Sequence, residues 1–335
     1  MAAMLPDGRR LGAHLPLGGG MVKAVDRAHA IGADALQIFT DNPTAWRRRA
    51  EPPAELGAFR DRLRVHDIRP IAIHAAYLVN LAGPEPDFFE RSVDLLAIEL
   101  RAAPAFGARY VNVHIGSHRG EGIEAGIRRV AEGVDRAIRA ADDRPAPDDQ
   151  PAPDGEPAAD VPPAMVVLEN SAGSGFGLGV DLDELAGIAT AIAACGVPDE
   201  RVGFCLDVAH AWAADIDMGS PAAIDTFLAA FDARIGLRRL VMVHLNDSRS
   251  ELGSRLDRHE HVGAGRIGAA GIAHLLRHPG LAHATYLLET PGMDEGYDAV
   301  NIARARALAA GEPLDPLPPE AFHLRGSSRA RSAPA

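Results

Sequence analysis

The run Arg109-Tyr-Val-Asn-Val-His114 is a short β-branched and aromatic stretch that stops on a histidine. Its length and composition mark a strand rather than a helix. Just upstream, residues 87–103 repeat apolar side chains at Phe89, Val93, Leu96 and Leu100, spacings of three and four that gather on one helical face. The same alternation recurs in both directions along the chain. The other runs are Arg10 to His14, Ala35 to Phe39, Pro70 to His74, Met165 to Glu169, Val202 to Asp207, Leu240 to His244 and Thr285 to Glu289. Helical stretches lie between them, such as 181–195 with Asp181 as an N-cap. Eight strand-helix units predict an α/β chain closed into a (β/α)8 TIM barrel. The competing architecture, a doubly wound open sheet, usually carries a phosphate-binding glycine turn after its first strand, and His14-Leu-Pro-Leu-Gly-Gly-Gly20 is not one.

The whole chain has 335 residues, 47% of them hydrophobic and 24% charged, with a net charge of −12. That is ordinary globular composition and excludes collagen-like, coiled-coil and wholly disordered classes. No stretch is long and apolar enough to span a bilayer, and the N-terminus shows no signal-peptide core, so a cytoplasmic location is expected and no membrane partner. Cys195 and Cys205 sit in apolar contexts and read as buried thiols. Lys23 is the only lysine, leaving one side-chain amine for Schiff-base chemistry. Residues 142–163 are rich in proline and aspartate, with almost nothing to bury, and predict a disordered insertion. Lying between the fourth helix and fifth strand, it should leave the barrel on the face opposite the strand C-termini and be dispensable. Residues 1–310 then form one catalytic barrel, and 311–335 a flexible tail.

What ends each run carries the chemistry. Six runs close on His74, His114, Glu169, Asp207, His244 and Glu289. In a parallel barrel these positions open on one face, so six metal-ligand side chains from six strands meet at one mouth. Histidine, aspartate and glutamate make up about one residue in six, so such a set of run ends would arise by chance about once in tens of thousands of chains. Three more candidates follow in the loops: His210, three residues after Asp207, and Asp257 with His259, whose D-x-H spacing puts both side chains on one side of an extended segment. One divalent ion takes about four to six ligands, so nine suit two or three ions sharing a bridging carboxylate. His14, His118 and His261 can claim at most hydrogen bonds to the ligands. Glycines 173, 175, 177 and 179 read as a loop needing positive φ rather than a phosphate cradle.

The segments LGAHLPLGGG, IHAAYLVNLAGP, VNVHIGSH, LENSAGSGFGLG, CLDVAHAWAADID, HLNDSRSELGSRLDRHEHVGAGRIG and LLETP, in that order, resemble the endonuclease IV family of apurinic/apyrimidinic endonucleases. The resemblance runs from about residue 11 to 310. The first and last segments are shared with xylose-isomerase-like barrels generally, whereas HLNDS…GSRLDRHEHVGAG is specific to the nuclease branch. It implies three Zn2+ ions, with Mn2+ an alternative at one or more sites. His74, His114 and Glu169 would hold the first; Glu169, Asp207, His244 and Glu289 the second; His210, Asp257 and His259 the third. Glu169 and Glu289 would be the catalytic carboxylates.

Three ions would bring six positive charges against the four carboxylates, making a positive pocket in an acidic chain. A phosphodiester could bind there and be hydrolysed by a metal-activated hydroxide attacking in line. The implied activity is DNA repair by base excision: cleavage 5′ to an abasic site in double-stranded DNA, leaving a 3′-hydroxyl and a 5′-deoxyribose phosphate, by an enzyme expected to act as a monomer. Tyr77 and Leu78 match the positions the family wedges into the base stack. Arg249, Arg255, Arg258 and Arg266 crowd the ligand-bearing loop and could reach backbone phosphates, Arg258 first among them. Thr44 departs from the family, which usually carries an inserting arginine there. Two other readings stand beside the nuclease. A sugar isomerase or epimerase needs only Glu169, Asp207, His244 and Glu289 around one ion; a non-catalytic lesion- or metal-binding protein keeps the barrel without the nucleophile.

Overall fold

The computed structural model describes residues 5–49, 52–143 and 162–324. Eight parallel strands close on themselves: β1 (Arg10–His14), β2 (Ala35–Ile38), β3 (Ile71–His74), β4 (Ala108–His114), β5 (Met165–Glu169), β6 (Val202–Asp207), β7 (Leu240–His244) and β8 (Thr285–Leu288). Closure is direct, because Arg10 pairs with Thr285 and Ala13 with Leu288. That pairing excludes the doubly wound sheet. The expected strand ends hold to within a residue: Phe39, Pro70 and Glu289 fall just outside, and β4 starts one residue early at Ala108.

Helices α1 (Met21–Ala30), α2 (Leu56–His66), α3 (Pro86–Ala102), α4 (Ile123–Asp142), α5 (Leu182–Ala194), α6 (Val208–Ala213), α7 (Pro221–Arg234), α8 (Gly268–Arg277) and α9 (Tyr297–Ala310) wrap the barrel. The longer helices bury one face and leave the other in water, whereas all six residues of α6 are buried. In α3 the buried set includes Phe89, Val93, Leu96 and Leu100, the residues whose spacing marked the helix. Asp181 caps α5 by accepting a hydrogen bond from Glu184 N at 2.9 Å, and Glu184 reaches back to Gly179 N at 2.7 Å. Gly179 itself requires glycine, since its φ is +83° and a Cβ would lie 2.4 Å from Ile115 Cδ1.

Strand register puts the run ends on one rim. His74 lies beside Asn112, His114 beside Glu169, Glu169 beside Cys205 and Asp207 beside His244. Beyond β7 the chain makes a two-residue antiparallel ribbon, Asp247–Ser248 with His259–Glu260, which folds the ligand-bearing loop back over the mouth. Of the expected insertion, 144–161 lies outside the described residues. The part of the expected tail that is described, up to Leu324, is mostly exposed but held at a few points: Ala321 is buried, its carbonyl accepts from His261 Nε2 at 2.9 Å, and Asp315 O accepts from Arg304 at 2.6 Å. The carbonyls of this segment meet side chains of the barrel, Arg304 on α9 and His261 before α8; 325–335 lie outside the described residues.

Candidate metal centre

The mouth is built from β3 to β7, which each end on a ligand-type side chain after an apolar stretch, and from Glu289 directly after β8. Glu169, Asp207 and His244 are between 0% and 1% exposed, and His74 and His210 are buried beside them. Taking carboxylates that deep is costly unless partners compensate. Here the partners are imidazoles. Glu169 Oε2 lies 3.7 Å from His74 Nε2 and 3.5 Å from His244 Nδ1, and its Oε1 3.4 Å from His114 Nε2. His244 Nδ1 also faces Glu289 at 3.4 Å and Asp207 at 3.8 Å. The loop candidates join the same cluster: Asp257 lies 3.3 Å from His210 Nε2 and 3.1 Å from His259 Nε2, and the latter is 3.6 Å from Asp207.

Local structure aims these groups. Asp207 ends β6 and also caps α6, accepting from His210 N at 2.8 Å, so the D-x-x-H spacing is a strand end followed by the first turn of a helix. His259 sits in the ribbon, which brings it and Asp257 back to the mouth.

Four imidazoles are fixed by their second nitrogen. His74 Nδ1 meets the Ala75 carbonyl at 2.7 Å, His210 Nδ1 the Asn170 carbonyl at 2.9 Å, and His259 Nδ1 the Glu289 carbonyl at 2.8 Å. His244 Nε2 meets Gln37 Oε1 at 3.1 Å. An acceptor at that nitrogen holds the N–H there and leaves the other lone pair pointing into the cluster, the arrangement of a metal-ligating histidine. Glu169 Oε1, His244 Nδ1 and His259 Nε2 are buried without a hydrogen-bond partner. Three sets draw their donor atoms within 4.8 Å of one another: His74, His114 and Glu169; Asp207, His244 and Glu289; Asp207, His210 and His259. The donor sets and the orphaned lone pairs fit divalent ions, with nitrogen and oxygen ligands suited to zinc or manganese.

The electrostatics show the same demand for positive charge. Burial alone would lower the histidines, but Asp207 and Asp257 lift His210, and Glu289 and Glu169 lift His244, each well above the ordinary range. His259 is likewise pushed up to about 9. Burial would raise the carboxylates, yet His114 and His244 hold Glu169 far below its usual range, and His210 and His259 do the same to Asp257. The Cys205 thiol is pushed up to about 12, mainly by burial, and stays neutral beside Glu169 and His244.

Sequence reasoning missed the polar residues behind the ligands. Asn112 Nδ2 donates to Glu169 Oε2 at 2.5 Å, Gln37 Nε2 to Glu289 Oε1 at 2.7 Å, and Asn246 Nδ2 to Asp207 Oδ2 at 2.9 Å. Asn170 Oδ1 accepts from Asp207 N at 2.7 Å. The signal was present in Gln37 and Asn112, which interrupt apolar runs; Asn112 is two residues before His114, on the same face of β4. Of the three unassigned histidines, His14 reaches a ligand, with Nδ1 3.0 Å from Glu289 Oε1. His118 instead accepts from Gly122 N at 3.0 Å, and His261 serves the C-terminal segment.

Around the rim, Tyr77 is 57% exposed and leans on the rings of Phe39, His74 and His114 at centroid distances of 5.2, 5.8 and 6.1 Å. Leu78 is half-buried beside it. Arg255 and Arg258 are exposed, Arg249 is half-buried, and Arg266 pairs with Glu251 at 2.6 Å. Thr44 turns inward on its own loop, its Oγ1 donating to Asn42 Oδ1 at 2.8 Å.

Residues 25–311 match the family model described as a xylose isomerase-like TIM barrel. The chain is 40% identical to "Probable endonuclease 4" of Methanoculleus marisnigri over 299 residues, covering 89% of this chain and 98% of that one. It is 35% identical to the protein of the same name from Halothermothrix orenii, over 88% and 99%. Among solved structures, endonuclease IV from Thermus thermophilus superposes with a TM-score of 0.72 at 37% identity, over 90% of this chain and 99% of that one. A D-tagatose 3-epimerase-like protein shares the fold, with a TM-score of 0.61 at 14% identity, over 90% of this chain and 97% of that one. With the whole barrel matched at this identity, the chain belongs to the endonuclease IV family.

Proposed function

We propose that this protein is a zinc-dependent DNA repair endonuclease that hydrolyses the phosphodiester 5′ to an abasic site in double-stranded DNA. His74, His114 and Glu169 would hold one ion, Glu169, Asp207, His244 and Glu289 a second, and His210, Asp257 and His259 a third. When bound, such ions lower the pKa of water from 15.7 to ~7 to 9 and offset negative charge building up on a scissile phosphate. Water adds to phosphorus, the bond to O3′ breaks, and the products are a 3′-hydroxyl and a 5′-deoxyribose phosphate.

The chain's own contribution is placement. Asn112 and Gln37 turn the Glu169 and Glu289 carboxylates toward the centre of the mouth. Asp207 fixes His210 through its backbone, and the ribbon delivers Asp257 and His259. Tyr77 presents an exposed ring at the rim, suited to filling the gap a missing base leaves in a stack. Arg255 and Arg258 are exposed on the same ligand-bearing loop, where they can meet backbone phosphates.

The observation that carries the reading is the meeting of His210 and His259 at Asp207, with Asp257 against both histidines. A single-ion sugar isomerase is complete without those three, so it leaves the ribbon and its ligands unexplained. Elemental analysis of the purified protein beside incubation with an abasic duplex tests it. Multiple zinc equivalents and a hydrolytic 3′-hydroxyl product are expected, and borohydride should trap no covalent adduct, since Lys23 is the only lysine. A single ion with turnover of a ketose or aldose and no incision would overturn the assignment.

A further inference from the structure

Outside the mouth, a second group of ligand-type side chains meets on the helical layer. His274 lies in the last turn of α8, and His278 is the residue that follows the helix, where the backbone has turned extended. Asp225 on α7 faces them: its Oδ1 lies 2.5 Å from His274 Nε2 and 3.5 Å from His278 Nε2. All three donor atoms fall within 4.8 Å of one another, and the two rings meet edge to face at 5.7 Å. Asp225 is exposed and the histidines half-buried, so water and ions reach the group.

Its backing is rigid. Arg9, the buried residue preceding β1, donates from Nη1 to Leu276 O at 2.6 Å and so ties down the last turn of α8. Because Arg9 precedes the first strand, the cluster lies toward the end of the barrel opposite the mouth, and none of its residues contributes to the site described above.

We propose that Asp225, His274 and His278 form a separate divalent-metal site that takes a borderline ion of the zinc, nickel or copper class and clamps α7 to α8. Two imidazoles and one carboxylate are the donor set such ions favour, with water completing the coordination, whereas Mg2+ and Ca2+ require oxygen ligands and are excluded. Binding has one internal cost. His278 Nδ1 accepts a hydrogen bond from Gly280 N at 3.2 Å, which leaves the ring proton on Nε2. A metal at Nε2 displaces that proton; the ring stays neutral by carrying it on Nδ1 instead, and the Gly280 bond is given up. His274 and Asp225 therefore set most of the affinity, and the site is weaker than those at the mouth, where the second nitrogens already face acceptors.

Equilibrium dialysis of untagged full-length protein against Zn2+, read by elemental analysis, tests this on wild type, His274→Ala and Asp225→Asn. Each variant should hold one zinc equivalent fewer than wild type while incising abasic DNA at an unchanged rate. Wild type should be retained on nickel-charged resin and elute earlier when His274 is replaced, and Mg2+ should not substitute for zinc in the count. His274→Ala adds a good helix former at a half-buried position, and Asp225→Asn keeps the shape of an exposed side chain, so at least one variant reports on binding rather than folding. Equal zinc counts and equal retention in wild type and both variants would overturn the proposal. Because the readout is a difference between proteins with identical mouths, it decides the point whatever the mouth itself binds.

Discussion

Asn246 is fully buried and spans two ligands: Nδ2 donates to Asp207 Oδ2 at 2.9 Å, and Oδ1 accepts from Glu289 N at 2.8 Å. Asn246→Ala removes both bonds at once. A hydrogen bond to a charged group contributes about 1.5 to 3 kcal/mol and a neutral one about 0.5 to 1.5, so the loss should be about 2 to 4 kcal/mol. It divides between folding and metal binding. Asp207 and Glu289 keep their donor atoms but lose the brace that aims them, and losses of roughly 10 to 100-fold in metal affinity are usual for such partners. Zinc affinity by chelator competition, with incision measured at limiting and at saturating zinc, separates the two shares. Incision should collapse at limiting zinc and recover in large part when zinc is raised, because every ligand remains. A folded variant whose affinity stays within about two-fold of wild type would refute the idea that Asn246 orients the centre.

His259→Ala should fold, carry about one zinc equivalent fewer and lose orders of magnitude in incision, as expected where charge stabilisation of a leaving oxygen is removed; unchanged metal content would sink its place as a ligand. Tyr77→Ala should weaken binding to an abasic duplex by about 1 to 3 kcal/mol while leaving single-stranded binding nearly unchanged, and equal losses on both substrates in a gel-shift titration would assign the ring to packing. The metal-free protein should lose stability as pH rises from 6.5 toward 9. His259, raised to about 9 in the fold, contributes up to roughly 3 kcal/mol below pH 6.5, and that contribution disappears as the folded group deprotonates. Denaturant midpoints of chelated and zinc-loaded protein across that window should diverge, since a ring holding an ion has no proton to lose.

Strand ends were legible because burial is unforgiving. A run such as Met165-Val-Val-Leu-Glu169 has no reason to stop on a carboxylate unless that side chain leaves the wall for the mouth, and all six run ends lie there. Asp257 and His259 were readable from D-x-H spacing, although the ribbon that delivers them pairs Ser248 with His259 across ten residues of loop that carry no strand pattern. Asn170 and Asn246 stayed invisible as supports because a polar residue just past a strand end looks like the start of a loop. Only three-dimensional register shows that Asn246 faces Asp207 from one strand and Glu289 from another. The points that hold the described part of the tail, up to Leu324, could not be read from the sequence: they are carbonyl groups of Asp315 and Ala321, and backbone acceptors leave no trace in composition.

The partners of the mouth carboxylates give an argument that neither spacing nor burial supplies alone. Positive charge in this chain is almost all arginine, since Lys23 is its only lysine. Buried carboxylates elsewhere use it: Glu99 pairs with Arg48 at 3.3 Å, and Asp298 with Arg27 at 2.7 Å. At the mouth, among the described residues, every ion pair of Glu169, Asp207, Asp257 and Glu289 is with a histidine. An arginine would neutralise these carboxylates permanently, because its guanidinium never gives up its proton and offers no lone pair. Histidine neutralises them only while protonated, and on losing the proton presents a lone pair to whatever cation takes its place. Protons and divalent ions therefore compete for the same nitrogen atoms, and metal uptake near neutral pH must release protons. Titrating zinc into chelated protein in weakly buffered solution should show that release, growing as the starting pH is lowered from 9 toward 6.5. A proton count near zero across that range would mean the histidines are already neutral without metal, and the charge argument for the site would fail.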